Sequence, residues 1–392
     1  LVVKSQPLPV TSDMQAHDIN AVLSPIATAR GLPNAMYIDE TMAHAERQHV
    51  FYKNWTALTT GKNIPQAGCV MPVNMLGIPM LVTRNKDGEI KVFENVCRHR
   101  GMILVDEPKR LNGPITCPYH AWAYDMDGHL RATPHVGGAD IHEHEAIDKE
   151  CLSLNQIRSH VWMDIIFVNI DGKAPAFEDI HSDIITRWAE FDKPIYHSGA
   201  DSSFSLTLNS NWKLAIENYC ESYHLPFVHP GLNSYSRLED HYHIEGPGHY
   251  SGQGSYVYNP SLDETGRTFP NFAGISNKWD QAAEYLALYP NVLLGVHRDH
   301  VYNIIITPDA VNKTTEQIEI YYADPSALDD SYADMRQKNS TMWKDIFIED
   351  IGVVQGMFNG RSAPQYDGGQ FSPVMDGPTH YFHQWVARQM AA

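Results

Sequence analysis

The chain has 392 residues, 43% of them apolar and 19% charged, and its 29 Lys plus Arg against 47 Asp plus Glu give a formal charge of −18. That length calls for two domains, each able to bury a core, and the composition is globular rather than disordered or fibrous. The acidic balance argues against nucleic acid or an anionic membrane as partner; no apolar run reaches the roughly 20 residues of a membrane span, and the opening residues lack the pattern of a secretion signal, so the expectation is a cytoplasmic protein.

Residues 37–53 place Met42, Ala45, His49 and Phe51 at helical spacing behind an acidic start. This predicts one helix, in an N-terminal segment (1–52) that packs on the second domain. From Trp55 onward short β-like runs alternate with turns, including Asp87-Gly88 and Asp127-Gly128. Asp-Gly between such runs is a hairpin signal, so 53–170 reads as a small all-β domain. Residues 171–392 form the second domain, with helices expected over 179–191, 212–223 and 333–356 and strands over 292–294, 301–306 and 318–322. The stretch 244–277 carries six glycines and reads as a loop over a cavity. Five cysteines are too few and too odd in number for a disulfide framework. Cys69, Cys151 and Cys220 have no partner pattern and are expected as buried free thiols. The 21 histidines raise the prior for metal chemistry without locating it.

Cys97-Arg98-His99-Arg100-Gly101 is followed, after 17 residues from Arg100 to Thr116, by Cys117-Pro118-Tyr119-His120. Two tight Cys/His pairs make a metal pattern, and tetrahedral zinc could use all four. Placement on loops at hairpin ends, beside Gly101, Gly113 and Pro118, favours an iron–sulfur cluster, because such loops can turn backbone N–H groups toward cluster sulfurs. The segment resembles the Rieske domain of the ring-hydroxylating oxygenases, including the Tyr119-His120-x-Trp122-x-Tyr124 continuation. That resemblance implies a [2Fe–2S] cluster with Cys97 and Cys117 on one iron and His99 and His120 on the other.

The run from Asn211 to Pro230 resembles the same family's mononuclear iron segment. Glu221 and His224, three apart, are expected on one helix face. His229 lies five further on, about 140° round the helix, so the helix must end or distort near Pro226 if both imidazoles are to meet one Fe(II). Two histidines and a carboxylate leave positions open for dioxygen and substrate. By the resemblance the carboxylate is Asp350, with Asp345 and Glu349 as alternatives. Glu221 stands where most of the family has Asp; there it bridges a cluster histidine of a neighbouring subunit, here His120, to His224. Asn218 and Tyr219 are read as pocket or packing residues, and Asp240, His241, Tyr242, His243 and His249 as pocket lining or surface.

The fold implied is α+β: a Rieske domain plus a helix-grip-like catalytic domain built on an antiparallel sheet. The function implied is that of a terminal oxygenase which takes electrons from NAD(P)H through a reductase, with or without a ferredoxin, and works as a homotrimer. An aromatic substrate is the first expectation, on family frequency. The alternative is a carnitine- or betaine-like quaternary ammonium compound, which oxygenases with Glu at the bridge accept. A reading from another class is a Rieske electron carrier with a ligand-binding domain.

Overall fold

The computed structural model describes residues 16–391; the segment on which the absence of a secretion signal was read lies outside them. The chain divides into two compact units, one of Lys53–Ala174 and one that joins the N-terminal segment to Pro175–Ala392. No helix among the described residues is long and apolar enough to cross a membrane.

The smaller unit is all β. A seven-stranded antiparallel sheet runs in the spatial order Thr56–Thr60, Ile165–Asn169, Gln156–Trp162, Ile90–Glu94, Ile78–Arg84, Cys69–Met75 and Lys109–Arg110. A three-stranded sheet holds Ile115–Thr116, Ala123–Tyr124 and Leu130–Ala132. The Asp87-Gly88 turn follows the expected chemistry: Gly88 has φ +85°, and the Asn85 carboxamide oxygen accepts from the N–H groups of Asp87 and Glu89. Phe93, Leu104, Trp122, Tyr124 and Leu154 form one buried cluster around Cys97 and Cys117. Neither of the other two cysteines here is buried as expected: Cys69 is half-buried and Cys151 exposed, in a turn closed by the Asp148 carboxylate. Cys220, in the larger unit, is buried.

The larger unit is built on an antiparallel sheet in the order Tyr196–His197, Lys313–Tyr322, His300–Ala310, Val292–Val296, Ala283–Leu288, Tyr250–Ser255 and His241–Glu245, with Ser203–Leu208 also paired to Lys313–Tyr322. Helices Trp212–Cys220, Ala333–Gly360 and Gly377–Ala391 pack against it. Part of the glycine-rich stretch is therefore sheet rather than loop. A side chain at Gly252 would meet the Tyr285 carbonyl, and one at Gly254 the ring of Tyr242. These glycines thus admit close neighbours within a strand.

Two expected helices are interrupted. Asp39 accepts from the Thr41 N–H at 2.7 Å and starts a new helix, so 37–53 becomes Ala35–Ile38, Glu40–Glu46 and a wide turn over Arg47–Phe51. Residues 179–191 likewise divide into Phe177–Ile180, Ser182–Arg187 and a short turn at Ala189–Phe191.

A buried ion pair ties the N-terminal segment to the helix that leads into the site. The Lys213 ammonium meets the Glu46 carboxylate at 2.5 Å, with both side chains at most 2% exposed, and the Trp212 indole N–H donates to the same carboxylate at 3.0 Å. Burial lowers the Lys213 pKa while Glu46 opposes that shift. Glu46→Gln should lower stability by about 3–5 kcal/mol, because a buried charge is left without its partner. Thermal unfolding would show this, and Lys213→Met added to that variant should recover most of the loss; an unchanged midpoint in the single variant would contradict the pair's role.

Candidate metal centres and active site

The two Cys/His loops of the small unit share one backbone design. The Cys97 N–H donates to the Met102 carbonyl at 2.8 Å and the Gly101 N–H to the Cys97 carbonyl at 3.0 Å. In the second loop Cys117 N–H reaches the Trp122 carbonyl at 2.8 Å and Ala121 N–H the Cys117 carbonyl at 3.0 Å. The fourth residue after each cysteine is left-handed, with φ +75° at Gly101 and +56° at Ala121. Each loop therefore folds back over its cysteine, leaving both thiols buried, while His99 is exposed and His120 half-exposed. Their rings lie 4.6 Å apart, His99 is stacked on Trp122 at 4.7 Å, and the Tyr124 hydroxyl sits 3.4 Å from the Cys97 sulfur.

These residues fit a Rieske cluster. Cys97 and Cys117 are buried and outside any disulfide, the His99 and His120 rings lie side by side, and the buried Nδ1 of His120 has no hydrogen-bond partner. A ring nitrogen left in this way is free to ligate a metal.

The second centre lies in the large unit. Ligand atoms of His224, His229 and Asp350 all fall within 4.8 Å of one another. His229 Nε2 is 2.9 Å and His224 Nε2 3.7 Å from the same Asp350 oxygen. Both opposite nitrogens are held by carboxylates: His224 Nδ1 meets Glu221 at 2.6 Å, and His229 Nδ1 meets Glu349 at 2.7 Å. A carboxylate at Nδ1 keeps the proton there and turns Nε2 toward a metal. Glu349, an alternative ligand in the sequence reading, is instead engaged with His229 Nδ1. Burial disfavours the His229 imidazolium, yet Asp350 and Glu349 outweigh it and raise the pKa.

The local chain path differs from the expected one. The helix ends at Cys220, and Glu221 is extended (φ −123°, ψ 160°) rather than on the helix face. Its carboxylate accepts from the N–H groups of Tyr223 and His224, which starts a short helix, Leu225–Val228, with Pro226 in its first turn. The break thus falls before His224, and Pro226 opens a helix rather than ending one. His224 and His229 flank that single turn and face Asp350 on Ala333–Gly360.

Beside these three residues is a cavity, partly open to solvent, walled by Tyr219, Tyr285, Tyr302, Trp343, Ile346 and Phe347. Trp343, Phe347 and Asp350 recur at i, i+4 and i+7, which puts them on one face of their helix. Asn218 and Tyr219 line the cavity, as do His241 and Gln253. His249 instead accepts from the Trp385 indole N–H at 3.4 Å. Glu316, on the strand Lys313–Tyr322, is buried, and burial with the nearby Asp350 charge pushes its carboxyl up to about 8.

Two outcomes are expected. Glu349→Gln should weaken mononuclear iron binding by about 10–100-fold, as loss of an orienting carboxylate does, without loss of the cluster's visible absorbance; an iron titration matching the wild type would contradict the orienting role. The Glu316 carboxyl, raised above its ordinary 4.5, stabilises the fold fully below that value and loses the contribution as pH climbs to about 8. Glu316→Gln should flatten that decline in denaturant midpoints between pH 5 and 8, and a wild-type slope in the variant would refute the assignment.

A carnitine monooxygenase oxygenase subunit from Acinetobacter pittii is 25% identical over 377 residues, covering 91% of this chain and 94% of its own. A chloroplastic choline monooxygenase from Atriplex hortensis is 25% identical over 373 residues, covering 93% of this chain and 79% of its own. The fold matches that of the quaternary ammonium Rieske monooxygenase CntA in complex with L-carnitine (TM-score 0.75, 21% identity, 95% of this chain and 98% of that one). It also matches naphthalene 1,2-dioxygenase with bound indole (TM-score 0.72, 19% identity, 95% of each chain). Residues 54–145 match the Rieske [2Fe-2S] domain and 187–392, more than half of the chain, the ring hydroxylating alpha subunit (catalytic domain). The chain therefore belongs to the alpha subunits of the Rieske-type ring-hydroxylating oxygenases, enzymes that carry a [2Fe–2S] cluster and a mononuclear iron and draw electrons from a reductase.

Proposed function

We propose that this chain is a terminal oxygenase acting on a quaternary ammonium compound, with Cys97, His99, Cys117 and His120 holding the cluster and His224, His229 and Asp350 the iron. The observation that carries the substrate reading is the cavity beside Asp350: its walls are aromatic, and among the described residues no Lys or Arg lines it. Ring faces attract a cation whose methyl groups cannot donate hydrogen bonds. The carnitine and choline monooxygenases that align with over nine-tenths of the chain support this reading better than an aromatic substrate.

When bound, the cluster moves single electrons and the ferrous ion activates dioxygen. The chain's own residues set the conditions for this. Exposed His99 and half-exposed His120 would hold a cluster where a redox partner can approach, while Cys97 and Cys117, its other ligands, are buried. Glu221 and Glu349 hold protons at the Nδ1 atoms of the two iron histidines. Tyr302, Trp343 and Phe347 exclude water on the substrate side.

The electron route we favour runs between subunits of a head-to-tail homotrimer, with Glu221 joining His224 to His120 of the partner subunit. Its support is the Glu221–His224 contact at 2.6 Å and the similarity to an enzyme described with inter-subunit electron transfer.

The test is NADH-dependent oxygen uptake by the holoenzyme with a reductase, comparing choline, carnitine and betaine with naphthalene and benzoate. Uptake stimulated by quaternary ammonium compounds alone is expected. Stimulation confined to the aromatic compounds would overturn the reading.

A further inference from the structure

The cavity that faces Asp350 is uneven in its polar equipment. Beyond the three iron residues, its one side chain able to become cationic is His241 among the described residues. Burial lowers the His241 pKa, and both ring nitrogens are engaged, Nδ1 with the Gln253 carboxamide oxygen at 2.6 Å and Nε2 with the Ser236 hydroxyl at 3.1 Å. Both nitrogens are thus taken, and no donor is left for a ligand. The tyrosine hydroxyls are committed too: Tyr219 donates to the Leu294 carbonyl at 2.8 Å and lies 3.0 Å from the Tyr302 hydroxyl. A substrate carboxylate in this cavity would meet no Lys or Arg side chain among the described residues.

Asn218 is the exception. It lines the same cavity and is 9% exposed. An amide offers both a donor and an acceptor, which matches a hydroxyl that gives one hydrogen bond and takes another. An amide on the wall of a cavity is the kind of group a ligand engages.

We propose that the substrate is a quaternary ammonium alcohol, its cation against the aromatic wall of Tyr285, Tyr302 and Trp343 and its hydroxyl on the Asn218 carboxamide, and that zwitterions bearing a carboxylate are discriminated against. This rests on the quaternary ammonium reading above and narrows it. Asn218 then becomes a specificity residue that touches substrate, and the missing cationic side chain sets which members of the class are refused.

The experiment measures equilibrium binding to the iron-loaded holoenzyme, alongside oxygen uptake, for choline, propyltrimethylammonium, glycine betaine and carnitine. Choline should bind at least about tenfold more tightly than either carboxylate, and about 3–10-fold more tightly than propyltrimethylammonium, the span of one hydrogen bond. Asn218→Leu should abolish the second preference, so that choline and propyltrimethylammonium bind that variant equally. Should that variant misfold, the four-ligand comparison on the wild type still decides. Carnitine or betaine binding as tightly as choline overturns this inference and leaves the quaternary ammonium reading intact. Binding of none of the four, with an aromatic compound taken instead, overturns both.

Discussion

An imidazole can offer Nε2 to a metal in a fixed direction only when its other nitrogen is held, and the catalytic unit depends on that constraint. Glu221 holds His224 and Glu349 holds His229, each at hydrogen-bond distance, and the two Nε2 atoms converge on one oxygen of Asp350. Each carboxylate fixes a tautomer and a ring plane together. The chain path follows from the same need. Because Glu221 also accepts from the N–H groups of Tyr223 and His224, the helix from Trp212 stops one residue before it and a new turn starts, which carries both imidazoles to the same side. Glu349 and Asp350, adjacent on one long helix, then supply the orienting and the facing carboxylate.

The Rieske unit meets a similar demand with backbone rather than side chains. Its two loops repeat one pair of hydrogen bonds and one left-handed residue, so two cysteines far apart in sequence become equivalent. Glycine supplies the left-handed residue in one loop without steric cost, whereas Ala121 adopts it in the other. Trp122 and Tyr124 then pack the second loop into the core, one stacked on His99 and the other beside the Cys97 sulfur. His99 stays exposed and His120 half-exposed although Trp122 stacks on the one and Tyr119 lies against the other.

How much of this was legible in the sequence depended on whether the governing interaction is local. The Cys-x-His and Cys-x-x-His pairs are local, as are the Asp-Gly hairpins, and both read directly. The helix between Trp212 and Tyr223 could be placed, but its end could not, because the stop comes from a carboxylate turned back on its own backbone rather than from Pro226. Asp350 was placed by family resemblance, since carboxylates on a helix look alike until the fold brings one of them to the histidines. Glu349 was weighed as a ligand; that it orients His229 became visible only across a separation of 120 residues. The strand Tyr250–Ser255 was hidden because its glycines serve neighbours distant in sequence, the ring of Tyr242 and the Tyr285 carbonyl. The Asp39 break needed no tertiary information, and the helical periodicity around it masked a capping residue in plain view.

The account stands or falls on the presence of two distinct metal centres in one chain. Iron and acid-labile sulfide, measured on anaerobically purified protein and on its His229→Ala variant, test it most directly. The wild type should hold about three irons and two sulfides per chain, and the variant about two of each. A wild type with only about two irons, or a variant that keeps the third, would contradict the assignment of His224, His229 and Asp350 as the oxygen-activating site.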